Sequence, residues 1–180
     1  GRLLADGIHG PGVSANLAGC IVSAYDSGPA PALIPRKDRY GLYGCNMAFR
    51  TAAIGGVRFD ERLPLYGWQE DIDFSAQISR YGRIVSTHAF AGVHRGVKAG
   101  RSSGVRVGYS QVVNPVYLCR KGTMRKKYAA RIILRNVGTN LCRIVNPEPW
   151  VDRWGRVRGN WIGLLDLACG RITPERIVQL

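Results

Sequence analysis

The chain has 180 residues, with 26 Lys+Arg against 12 Asp+Glu and a formal net charge of +14 at pH 7. That balance excludes an acidic or calcium-buffering protein, and the length suits one domain. With 46% apolar residues and 21% charged, the chain is too hydrophobic for a disordered polycation and is expected to fold.

Residues 1–43 are rich in Gly, Pro and Ala, with one helical stretch predicted over 13–25 and a turn-rich link after it. The uncharged run 7–25 contains His9, Pro11 and Asn16, so it fails as a membrane span, and it lacks the basic start of a signal peptide. The first residue is Gly1, and the chain reads as a piece of a longer protein. Phe74, Ile78 and Tyr81 at helical spacing, with carboxylates in the first turn and Gly82 as a stop, predict a helix over 71–81. Residues 83–87 read as a short β-branched strand, and 89–94 lead on to a loop over 96–104 rich in Gly, Ser and basic residues. A helix kinked by Pro115 is expected over 105–121. A longer one over 124–145 has Tyr128, Ile132, Val137, Leu141 and Val145 along an apolar face, with arginines and lysines on the other. A final helix is expected over 160–168, ended by Gly170, and Pro174 opens a last short turn.

The five cysteines, at 20, 45, 119, 142 and 169, form no C-x-x-C and lie far apart. That argues against a zinc ribbon or a disulfide framework and favours a reducing compartment. The charge is concentrated: residues 74–147 contain no acid, whereas Asp60, Glu61, Glu70, Asp71 and Asp73 lie just upstream. A carboxylate cluster beside a cationic half attracts phosphates, whether on a nucleotide, a nucleic acid or an anionic bilayer.

Three local patterns carry candidate chemistry. The first is Gly44-Cys45-Asn46-Met47-Ala48-Phe49-Arg50. The second is Phe59-Asp60-Glu61-Arg62-Leu63 followed by Gly67-Trp68-Gln69-Glu70-Asp71-Ile72-Asp73-Phe74. The third is His94 after the strand, and then the basic loop with Lys98 and Arg101. In order and spacing these resemble the inverting family-2 glycosyltransferases of GT-A fold, closely over 44–117. The tail from Arg158-Gly159-Asn160-Trp161 to Thr173-Pro174-Glu175-Arg176 is similar to the end of many bacterial members.

The resemblance implies an α/β architecture: residues 1–104 as the acceptor-side, catalytic half of a GT-A-like domain, and 105–180 as a basic helical extension. It implies that Asp71 is the general base that takes the proton from an acceptor hydroxyl, with Glu70 orienting it. Asn46, Asp73 and Trp68 would bind substrate, Arg101 would close over the diphosphate, and His94 would help hold a divalent metal, Mg²⁺ or Mn²⁺. Most of the metal's ligands would come from a D-x-D upstream of Gly1. Asp71-Ile72-Asp73 spells the same motif, but it opens a helix instead of ending a strand. The implied partners are a nucleotide-sugar donor and a carbohydrate or lipid-linked acceptor, met in the cytoplasm at the inner membrane face during polysaccharide synthesis. The cationic helix over 124–145 would suit an anionic membrane surface. Two other functions compete: a catalytically silent interaction fragment, and a basic nucleic-acid-binding module. The second lacks aromatics interleaved with its basic residues.

Overall fold

The computed structural model describes residues 14–24, 33–35, 42–87, 92–96 and 102–180. Helix α1, Ala15–Ser23, starts at Ser14, whose Oγ accepts the Leu17 N–H at 3.2 Å. Strand β1, Leu33–Pro35, pairs antiparallel with β2, Val85–Thr87. Between them lie the one-turn helix α2, Thr51–Ile54, and α3, Glu70–Ile78. Helices α4, Gly104–Lys121, α5, Lys126–Cys142, and α6, Arg153–Ala168, follow, and a 3-10 turn over Pro174–Gln179 closes the chain.

This architecture corrects the α/β expectation. Strand pairing among the described residues amounts to one three-residue antiparallel ladder, and the core is built between helices. The sequence offers one β-branched run, at 83–87, against several long segments of helical periodicity. So short a strand cannot organise a layered sheet, and the apolar faces of the helices bury one another instead.

Helix α4 is the axis of the structure. Residues 107–115 are all buried, which marks a helix enclosed on every side. It runs through Pro115 without ending, although the missing N–H leaves the Gln111 carbonyl without its helical donor. At one end Leu118 joins Leu63, Ile72, Met124, Ala129 and Ile132 in a core cluster. At the other, Tyr109 and Val113 pack on Ile177. The first cluster draws residues from both sides of position 104.

Helix α6 crosses α4 almost backbone to backbone. A Cβ on Gly108 would overlap the Arg156 carbonyl, one on Gly159 would overlap the Val105 carbonyl, and one on Gly163 would come within 3.1 Å of Val112 Cβ. Glycines four apart on both helices permit this approach. Helix α6 begins at Arg153, a turn and more before the predicted start, where the Asp152 side chain caps it by accepting the Gly155 N–H at 2.7 Å.

The helices are also tied by a buried polar network. Asn140 Nδ2 donates to Gln111 Oε1 and to Asn160 Oδ1, both at 2.9 Å, and Asn160 Nδ2 donates to the Gly108 carbonyl at 2.7 Å. Arg153 donates to Asn140 Oδ1 at 2.8 Å and grips Glu148 with two hydrogen bonds, at 2.8 and 2.7 Å. Satisfied in this way, the network fixes one packing of α4, α5 and α6. Near the C-terminus the buried Asp166 accepts from Tyr109, Arg171 and Arg176. No described helix is long and apolar enough to cross a membrane.

Candidate functional site

The stretch before α3 is bent by three left-handed residues in five: Leu65 at φ +61°, Gly67 at +53° and Gln69 at +73°. For Leu65 and Gln69 this conformation costs about 1–3 kcal/mol each. Surrounding contacts hold the bend, since Asn114 of α4 donates to the Trp68 carbonyl at 3.0 Å and Glu70 N–H donates to the Gly67 carbonyl at 2.7 Å. The bend lifts Glu70 and Asp71 onto the first turn of α3, where the helix dipole favours negative charge.

Asp71 is half-buried. Its Oδ2 accepts the Gly44 N–H at 3.1 Å and its Oδ1 accepts the Ile72 N–H at 2.8 Å. Each oxygen takes one of these bonds, and a carboxylate oxygen has room for a second. Glu70 reaches solvent beside it. Partial burial, and then the Asp71 charge, raise the Glu70 carboxyl above its ordinary range. Asn46 sits exposed in the turn that presents Gly44, its N–H bonded to the Tyr43 carbonyl at 2.7 Å. His94 is exposed and meets the Tyr43 ring edge-on at 6.2 Å. The three sequence patterns thus meet around one carboxylate: Gly44 bonds to Asp71, and Tyr43 touches His94.

The phenylalanines of these patterns serve as scaffold. Phe74 stacks on Phe59 at 4.3 Å and tilts against Phe49 at 5.3 Å, joining the first pattern to both parts of the second. Asp60 is likewise a tie, accepting from Tyr117 at 2.8 Å and from Lys121 at 2.5 Å. Arg62 pairs with Glu175 and lies over the Tyr117 ring, which fastens the second pattern to the C-terminal turn.

Asp73 departs from the role expected for it. Its side chain is 1% exposed and accepts from Lys121 at 2.7 Å, Thr123 at 2.6 Å and Gln77 at 2.8 Å. A carboxylate so enclosed has no face for a substrate, and with Asp71 it forms no metal pair. Among the described residues no group of three His, Cys, Asp or Glu converges on a point. Arg101, with Lys98, lies outside the described residues.

Trp68 and His94 line one cavity of about 750 Å³. Its other walls include Tyr66, stacked on Trp68 at 6.0 Å, and, from the C-terminal half, Gln111, Trp150 and Arg156. The Trp68 Nε1 is buried and has no hydrogen-bond partner among the described residues. Sequence reading missed Gln111, Trp150 and Arg156, which stand far from the recognisable patterns and carry no local signal. A second hollow, of about 270 Å³, lies between Phe49, Ile54, Ile78 and Ile84 and is an apolar cleft of the scaffold.

The chain matches no protein-family model, no curated protein and no solved structure.

Proposed function

We propose that this chain carries the acceptor side of a sugar-transferring enzyme, working in the cytoplasm at the inner face of a membrane. The observation that carries the reading is the convergence on Asp71, where the Gly44 amide, the α3 N-terminus, Glu70 and the Tyr43–His94 pair surround one half-buried carboxylate. Asp71 accepts the proton of an acceptor hydroxyl. The oxygen attacks the anomeric carbon of a nucleotide-sugar, the bond to the diphosphate breaks on the opposite face, and the configuration inverts. Backbone donors hold Asp71 in place and keep an open lone pair on each oxygen for that hydroxyl.

The adjoining cavity suits a carbohydrate. Tyr66, Trp68 and Trp150 offer flat apolar surfaces to sugar rings, while Gln111, Arg156 and the Trp68 indole N–H offer polar contacts to hydroxyls. The family resemblance stated above supports the same chemistry on motif grounds. The steps above are drawn on this chain's own residues alone.

Asp71→Asn tests the proposal. In the protein that contains this chain it should lower sugar transfer about 10²–10⁴-fold, the usual worth of a positioned base, with donor affinity changed less than about twofold. Near-wild-type turnover would remove Asp71 from the role.

A further inference from the structure

Helix α6 has two unlike sides. The buried side presents glycines, asparagine and arginine to the network described above. The exposed side carries Trp154, Trp161 and Leu165, at 68%, 59% and 61% exposure, with exposed Arg158 among them. At 100° per residue these four fall within an arc of about 60°. A single apolar side chain in water needs no explanation, but two tryptophans and a leucine in one stripe mark an interaction surface. Helix α5, which contacts α6, separately exposes Leu134 at 72%, and Val145 at 89% follows its end. Lys127, Arg131 and Arg135, one turn apart, are also exposed on α5.

We propose that this surface docks into the interface of an anionic bilayer, with the tryptophans and leucines at the boundary of headgroups and acyl chains and the arginines and lysines on lipid phosphates. The charge pattern selects this occupant. A second copy would set cation against cation, because the charged residues named on these exposed faces, Lys127, Arg131, Arg135 and Arg158, are all basic. A nucleic acid would meet the cations but leave the leucines in water. Indole rings with a polar N–H on an apolar body, flanked by basic residues, match the membrane–water boundary, and a helix of this kind lies in the surface without spanning it. The apolar stripe adds insertion to the simple adsorption that basic charge alone would produce. The inference rests on the membrane-face placement proposed above and not on the chemistry at Asp71.

The test uses the 180-residue chain with vesicles of phosphatidylcholine alone and of phosphatidylcholine with about one-third phosphatidylglycerol. Co-sedimentation should require the anionic lipid, as surface potential dictates. On binding, tryptophan emission should shift to shorter wavelength and be quenched by brominated acyl chains. Trp154→Ser with Trp161→Ser should weaken binding roughly tenfold and abolish the shift, with circular dichroism unchanged because both side chains lie outside the core. Arg131→Glu with Arg135→Glu should weaken binding by another route, through charge. Asp71→Asn should bind vesicles like the parent, so failure here and failure of the sugar-transfer reading are separable. Binding that vanishes in high salt with no emission shift would overturn the proposal in favour of mere adsorption. Self-association that the two tryptophan substitutions abolish, without vesicle binding, would overturn it in favour of a second copy. Binding of duplex DNA that excludes vesicles and is insensitive to the tryptophans would overturn it as well.

Discussion

Lys121 Nζ lies 2.7 Å from Asp73 Oδ2 and 2.5 Å from Asp60 Oδ2, so one cation at the C-terminal end of α4 ties together the two acidic patterns that precede it. Asp73 is sealed from water, and Lys121, Thr123 and Gln77 are the partners of its carboxylate oxygens. Lys121→Met should destabilise the chain by about 3–5 kcal/mol, the cost of a buried charge left without its partner. Adding Asp73→Asn to Lys121→Met should recover part of the loss, since no unpaired charge remains. Urea titrations of the two singles and the double close the cycle. Additive losses would show that the pair is not coupled.

The α4–α6 crossing predicts opposite outcomes for the same substitution. Gly159→Ala places a methyl on the Val105 carbonyl and should cost about 1–3 kcal/mol or more, because backbone cannot yield as a side chain can. Gly138→Ala, inside α5 with nothing near its Cβ, should stabilise by about 0.5–1 kcal/mol through helix propensity. Thermal unfolding separates the two by sign.

Acid should unfold the chain through its ion pairs. The Arg153 hydrogen bonds hold the Glu148 carboxyl down at about 2, from an ordinary 4.5. Arg62 lowers Glu175. At Asp166 and Asp60 burial is the largest single effect and opposes the shift, but hydrogen bonds acting together outweigh it, from Arg176, Tyr109 and Arg171 at Asp166 and from Lys121, Tyr117 and the Arg62 N–H at Asp60. Each group binds its proton more weakly folded than unfolded, so its contribution is complete above an ordinary carboxylate value and disappears as pH falls through the folded value. For Glu148 that window runs from about 4.5 down to about 2. Arg153→Gln should lower stability at neutral pH and flatten the decline across this window. Denaturation midpoints measured down the acid limb check it; an unaltered slope would contradict the assignment.

Glu70 should respond to its neighbour. Burial comes first among the causes that raise its carboxyl, and the Asp71 charge second. Asp71→Asn should therefore lower the Glu70 titration only part of the way back, because the burial remains. Side-chain carbon NMR, with Glu70→Gln for assignment, reads this without any activity assay. No movement would mean that the two carboxyls do not share a field.

Gly67→Ala should displace Glu70 and loosen the bend. Its left-handed φ of +53° resists a side chain, and the added methyl would overlap the Glu70 carboxylate. If the proposed chemistry holds, sugar transfer should fall about tenfold or more, while Gly56→Ala, with open space at its Cβ, should leave it unchanged.

Local signals were legible in the sequence wherever one segment carried its own boundary. The carboxylates that open α3, Gly170 at the end of α6 and Pro174 in the closing turn all act within a few residues of themselves, through dipole and backbone restriction. The apolar face predicted for 124–145 was legible only at its start. Ile132 is buried, but Leu141 and Val145 face solvent, because periodicity says which residues share a face and not what stands opposite it.

The tertiary structure alone decided the rest. Whether Asp73 would meet a substrate or a lysine depended on Lys121 and Thr123, about fifty residues away. Whether Gly159 and Gly163 would weaken a helix or seat one depended on α4 lying against them. The expected α/β layering gave way for the same reason. A short β-branched run specifies a strand only when partners complete its hydrogen bonds, and here one three-residue neighbour does so, while the long amphipathic segments find one another and form the core.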